Sequence, residues 1–204
     1  MTLFEYDAGV REEVAVFCGV DEAGRGPLAG DVYAAAVIFD DKVYIDGIND
    51  SKKLSQKKRE MLYDEIIEKA SAYCIAAASV EEIEKYNILE ATYMAMRRAV
   101  EGLGVKPSLA LVDGNRVPPM PCEVKTIVKG DGTSASIAAA SILAKVARDR
   151  YMMDMALQYP QYQFEKHKGY GTKLHTDLIL KYGPCEIHRM SFLKKLYSKQ
   201  SDGK

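Results

Sequence analysis

The chain has 204 residues, 48% of them hydrophobic and 28% charged, and its net charge is only −1. That profile fits one globular domain with a substantial core and excludes a global basic field as the basis of any nucleic-acid binding. No apolar run approaches the length needed to span a membrane.

Four cysteines (Cys18, Cys74, Cys122 and Cys185) lie far apart with no Cys-x-x-Cys pair, a pattern expected of reduced thiols in a cytoplasmic protein. The opening MTLFEYDAGVREE is too acidic and too poor in apolar residues for a signal peptide. Charge is unevenly placed: residues 141–204 hold 12 Lys/Arg against 6 Asp/Glu, and the first 140 hold 16 against 23. An acidic part joined to a basic part suits a polyanion, although on charge alone chance asymmetry is the favoured explanation.

In chain order, the apolar runs 14–20 and 32–39 predict two strands of an antiparallel hairpin, joined by the Gly- and Pro-containing EAGRGPLAGD. A polar loop at 46–54 leads to a helix over 55–70 with Ser55 as its N-cap. A strand is expected over 73–80, then helical stretches over 80–85 and 88–102 closed by Gly102 and Gly104. Strands follow at 108–112 and 123–128, separated by DGNRVPPMP, whose three prolines bar regular structure. The longest helix is expected from Thr133 to about Leu157, where Ile137, Ala140, Ala144, Ala147 and Tyr151 recur at helical spacing before Pro160. A basic, Gly-containing loop (165–171), a short helix (173–182) and a last helix (191–199) complete the pattern, with a flexible tail over 198–204. Together these elements predict a three-layer α/β domain around a mixed sheet.

Three acidic positions each end an apolar run: Asp21-Glu22 in CGVDEAGRG, Asp113 in ALVDGN and Asp131 in VKGDGTSAS. Neighbouring strand residues point to opposite faces, so Asp21 and Glu22 can share a site only where their strand ends, and AGRG supplies an ending. Asp113 fits equally a ligand at the carboxyl end of a strand or a turn aspartate before Gly114. Asp131, two residues before the expected long helix, fits capping as well as catalysis. Four carboxylates brought together repel unless cations neutralise them, and an all-oxygen set suits Mg²⁺ or Mn²⁺ and phosphodiester chemistry.

Beside them, Gly24-Arg25-Gly26 combines close backbone approach with a guanidinium fork and is a candidate for reading a nucleotide, or simply a turn. Lys52 and Lys53 are candidate phosphate contacts or a solvated face. The segment from Lys166 to Tyr170 suits backbone contact with stacking on a sugar or base, or is plain surface.

Taken in order, GVDEAGRGPLAGDV, NDSKKL, LVDGN, VKGDGTSASIAAASILAKVARDRYM, YPQYQFEKHKGYGT and HRMSF closely resemble the type 2 ribonucleases H, specifically bacterial ribonuclease HII. The resemblance runs from about Cys18 to Phe192. It implies an RNase H-like three-layer fold, with a mixed central sheet and a C-terminal helical extension from about residue 160, in a single domain. It implies an endoribonuclease that cuts the RNA strand of RNA–DNA hybrids, and cuts 5′ to single ribonucleotides embedded in duplex DNA, leaving 3′-hydroxyl and 5′-phosphate ends.

By position, Asp21, Glu22, Asp113 and Asp131 correspond to that family's metal-binding acidic quartet, which works with two Mn²⁺ or Mg²⁺ ions. Gly24, Arg25 and Gly26 match its loop that contacts the ribose 2′-hydroxyl. Tyr170 matches its tyrosine that packs on the following deoxyribose, and Lys52 and Lys53 would touch phosphates. The expected partners are hybrid and ribonucleotide-containing duplexes, the expected state a monomer, and the expected compartment the cytoplasm.

The related ribonuclease HIII family carries an additional N-terminal domain, and only 20 residues precede Asp21, which favours HII. A junction resolvase would not be expected to carry GRG, DSKKL and HKGYGT together. A non-catalytic hybrid-binding module would be expected to have lost an acidic ligand.

Overall fold

The computed structural model describes residues 1–201. Five strands form one sheet in the order β3-β2-β1-β4-β5: β1 (Phe17–Ala23), β2 (Val32–Ile38), β3 (Ala72–Ala78), β4 (Leu109–Asp113) and β5 (Glu123–Ile127). β1 pairs antiparallel with β2 and β2 with β3, whereas β4 lies parallel to β1 and β5 parallel to β4. The mixed sheet expected from the sequence is present. Its carboxyl edge gathers the ends of β1 and β4, where an α/β sheet places its ligands.

Helices cover both faces. α3 (Val80–Glu101) packs on one side over Cys18, Val20, Ala34, Ala36 and Val112. Its first turn is fixed by Ser79 and Glu82 as a reciprocal capping box, and it kinks at Asn87 (φ 71°), where the sequence predicts a break. The other face takes α4 (Ala135–Gln158), with α2 (Gln56–Lys69) outside it; Ser55 caps α2 as expected. Every residue of α4 from Ala135 to Ala144 is buried, and half of them are alanine. Small side chains let the helix axis approach β1 closely. Gly19 marks the nearest point, since a Cβ there would overlap the Ser136 and Ile137 backbone.

Several expected boundaries shift. β1 begins three residues later than predicted and runs through Ala23, so Asp21 and Glu22 lie inside the ladder, opposite Ala35 and Ala34. Pairing with β2 on one side and β4 on the other carries the strand past its apolar run. α4 begins at Ala135, capped by Ser134, rather than at Thr133. Asp131 therefore sits in a separate short turn (Gly130–Gly132) and does not cap the helix.

The sequence pattern also missed α1 (Leu3–Glu13), whose apolar periodicity is weak but which carries a Thr2–Glu5 capping box. The C-terminal helices are α5 (Phe164–His167), α6 (Lys173–Tyr182) and α7 (Met190–Ser201). α5 occupies part of the segment expected to be loop, and α7 enters the stretch expected to be a flexible tail. Residues 202–204 of that stretch lie outside the described residues. Among the described residues, no helix is long and apolar enough to cross a membrane.

Candidate active site

The ends of β1 and β4 and the 130–132 turn bring Asp21, Asp113 and Asp131 together, each offering one oxygen within 4.8 Å of the others. Asp113 Oδ1 accepts the Gly130 amide at 2.7 Å, which ties the end of β4 to the turn carrying Asp131. Asp21 points to the α4 face and is 4% exposed, and Asp131 is 6% exposed. Burial, then the charges of Glu22 and Asp113, push the Asp21 carboxyl well above the usual carboxylate range, against the opposing pull of the Glu22 amide and the Ser141 hydroxyl. Burial and the Asp113 and Asp50 charges raise Asp131 as well. Carboxylates crowded this tightly are short of positive charge.

Glu22 points to the α3 face and is not one of the three. Its Oε1 lies 3.4 Å from Arg25 Nη1, and burial outweighs that guanidinium and raises its pKa. The charge of Asp113 still reaches it, so Glu22 borders the group from the opposite face of the strand.

Two residues gain meaning from their position. Asp50, which the sequence reading did not place among the site carboxylates, stands beside Asp131 while its Oδ1 accepts the Lys52 amide at 2.9 Å. Burial pulls the Lys52 ammonium down, but Asp21, Asp131, Asp50 and Asp113 together outweigh it and hold the group above its ordinary value. Lys52 thus faces the carboxylates directly, whereas Lys53 is largely exposed and lies 3.9 Å from Asp50. Nothing in DSKKL distinguishes the two lysines; the short 3₁₀ turn at Ser51–Lys53 does. Its Ser51 hydroxyl is anchored 2.8 Å from that of Ser141 on α4.

A furrow of about 770 Å³ opens over Asp50, Asp113 and Asp131, with Lys52, Lys53 and Lys129 among its walls and Asn115 at one side. An acidic floor under basic walls can hold a phosphodiester where a cation neutralises the carboxylates. The donor set fits a hard divalent cation, being all oxygen, convergent, and mutually repulsive without one.

Gly24, Arg25 and Gly26 follow β1 directly at the rim, with Arg25 and Gly26 exposed. Tyr170 comes from a distant part of the chain. It is tied to this loop through the Leu28 amide, which donates to the Gly169 carbonyl at 2.8 Å. Its ring is 42% exposed, with Lys145 Nζ and Arg148 Cζ 5.7 and 5.8 Å from its centroid. Arg148 and Arg189 carry no local signal in the sequence, because their surroundings are set by segments more than 100 residues away.

Comparison with known proteins agrees with this geometry. The family model described as Ribonuclease HII matches residues 18–195. Ribonuclease HII of Caldicellulosiruptor bescii is 54% identical over 189 residues, covering 93% of this chain and 92% of that protein. The Albidiferax ferrireducens protein of the same name is 61% identical over 174 residues, covering 85% and 84%. Among solved structures, ribonuclease H2 from Pyrococcus horikoshii OT3 superposes with a TM-score of 0.73 at 27% identity, over 90% of this chain and 97% of that one.

Proposed function

This chain belongs to the ribonuclease HII family, and we propose that it hydrolyses the RNA strand of RNA–DNA hybrids and nicks duplex DNA on the 5′ side of a single embedded ribonucleotide. The observation that carries this reading is the convergence of Asp21, Asp113 and Asp131 within 4.8 Å at the carboxyl edge of the sheet, beside a Gly-Arg-Gly loop exposed at Arg25 and Gly26.

Asp21, Asp113 and Asp131 would hold divalent metal, Mn²⁺ or Mg²⁺, with Glu22 completing the set for a second ion. Bound metal supplies a more acidic water and neutralises charge on the leaving oxygen. The protein's own part is to orient the strand. Lys52 and Lys53 border the path of the phosphates. The Gly24–Gly26 backbone approaches the ribose with little side chain intervening and can test the 2′-hydroxyl, the group that separates RNA from DNA. Tyr170 offers a ring face for the next sugar. An in-line attack at this phosphate leaves a 3′-hydroxyl and a 5′-phosphate.

The test is a duplex with one ribonucleotide, incubated with Mg²⁺, Mn²⁺ or EDTA. A metal-dependent nick 5′ to the ribonucleotide is expected. Cleavage of a long hybrid without that nick would remove the junction-reading part of the proposal, and binding without any cleavage would remove the catalytic part.

A further inference from the structure

Two arginines are buried completely beneath the Gly24–Asp31 loop. Arg189, at the start of the last helical segment, donates from Nη2 to the Gly24 carbonyl at 2.6 Å and from Nη1 to those of Arg25 and Pro27 at 3.0 and 2.9 Å. Its Nε and Nη2 also reach the Gly30 carbonyl. Arg148, on α4, takes the Ala29 and Asp31 carbonyls at 3.0 and 3.1 Å, and its Nη1 reaches the Lys168 carbonyl at 3.1 Å. The guanidinium fork is the side chain with enough donors to gather so many carbonyls.

Such burial is costly for a cation. It pulls Arg148 down and, together with the Arg148 charge, brings Arg189 to about 9, with Asp31 opposing in both cases. Arg189 remains cationic at neutral pH. A well-packed apolar pair would spare that cost, so the arrangement calls for an account beyond packing.

The orientation of the peptide planes supplies one. Among the described residues there is no cis peptide, and in a trans peptide the carbonyl and the following N–H point in opposite directions. Drawing the Gly24 and Arg25 carbonyls inward therefore turns the Arg25 and Gly26 amides outward, at two exposed residues. Gly24, at φ 100°, has no room for a Cβ because the Arg148 side chain lies against it. Arg148 also joins this loop to the segment before Tyr170, reinforcing the Leu28–Gly169 backbone bond.

We propose that Arg189 and Arg148 are positioning residues for recognition of the ribose: they aim the Arg25 and Gly26 amides at the 2′-hydroxyl and hold that loop in register with Tyr170. This rests on the reading above that the loop tests the ribonucleotide.

A single embedded ribonucleotide offers one correct register, whereas a long hybrid offers many. Arg189→Lys and Arg148→Lys keep the charge but lose the fork. Each should lower kcat on the single-ribonucleotide duplex by about 10²-fold, the scale of a 1 Å misplacement, and lower hybrid cleavage less. The rise in Tm on adding Mg²⁺ should persist, because the carboxylates are untouched. Leu62→Ala, in the buried face of α2, serves as a control for destabilisation alone. If it changes the ratio of the two rates as much as Arg189→Lys at an equal loss of Tm, the arginines are structural only and the proposal falls.

Should the arginine variants not fold, amide NMR on Asp113→Asn protein decides the matter. The Arg25 and Gly26 resonances should shift on adding the uncut ribonucleotide duplex and not with all-DNA duplex. No shift would overturn the proposal. Failure of the wild type to nick the ribonucleotide duplex would instead overturn the functional reading.

Discussion

The Asp7 carboxylate accepts both the amide and the hydroxyl of Ser136, at 2.8 and 2.6 Å, across 129 residues of sequence. Ser134, the N-cap of α4, donates to the same group at 2.6 Å. One fully buried side chain of α1 thus secures the first turn of α4, close to the turn that carries Asp131. Asp7→Ala leaves these donors unmet, at roughly 1–3 kcal/mol for each buried donor. We expect a clear fall in Tm, with Asp7→Asn intermediate, measured by thermal melting. An unchanged Tm in Asp7→Ala would show that α1 is not needed to hold α4.

The carboxylate group predicts a pH-dependent metal response. Burial and mutual charge raise Asp21 and Asp131 above their ordinary values in the metal-free protein. Their protonated forms therefore favour folding below the ordinary carboxylate range, and that contribution is lost as pH rises through the raised values. Bound metal favours the ionised forms, so the rise in Tm on adding Mg²⁺ should grow with pH over the same window. A rise independent of pH would argue against binding at these carboxylates.

Asp113→Asn should keep the fold, because an amide oxygen can still accept from Gly130. It should lose the metal-induced rise in Tm and at least about 10²–10³-fold in turnover, the size of one lost preorganised electrostatic contact. Gel assays on hybrid substrate together with melting curves check both. Near-normal turnover would take Asp113 out of the metal site.

His167, His175 and His188 form a buried chain behind Tyr170. The Cys185 amide donates to His188 Nδ1, His188 Nε2 meets His175 Nε2 at 3.1 Å, and His175 Nδ1 faces the Tyr170 carbonyl at 2.9 Å. One neutral tautomer of each of His175 and His188 satisfies all three contacts. Burial lowers both to about 4, and lowers His167 as well. The unfolded chain takes up protons below about 6.5 while the folded one resists, so stability falls as pH drops from 6.5 toward 4. These are the only histidines in the chain. The ring signals of His175 and His188 in a ¹⁵N-histidine spectrum should move little between pH 8 and 5, and a midpoint near 6.5 for either would contradict the neutral pair.

Tyr170→Phe keeps a ring and should cleave a single-ribonucleotide duplex at close to the wild-type rate. Tyr170→Ala should lose roughly 1–3 kcal/mol of stacking, about 5- to 150-fold in kcat/KM. Arg25→Ala should lower rate or selectivity while leaving the metal-induced Tm rise in place. Wild-type selectivity in both alanine variants would remove these contacts from substrate recognition.

Local pattern carried much of the fold. Alternating apolar runs, the Ser55 cap and the interruption near Asn87 all report backbone preferences over a few residues, and the structure keeps each with small shifts. Of the four carboxylates that close apolar runs, Asp21, Asp113 and Asp131 come together, whereas Glu22 points to the opposite face of β1. Ordered motifs then named the family, which the family model and the relatives bear out. Strand extent was less legible, because hydrogen bonding to β2 continues β1 past its apolar run through Asp21 and Glu22.

Other features left no local signal. Asp7 is one acid in a weakly amphipathic stretch until α4 packs against it. Asp50 resembles any turn aspartate until the 130–132 turn arrives beside it. Arg148 and Arg189 resemble surface cations until the 24–31 loop closes over them. Residue type and short-range spacing thus set out the elements and the chemistry available at their ends. Which buried group serves which distant segment depended on packing, because a hydrogen bond or a shared charge needs contact in space and separation along the chain does not encode it.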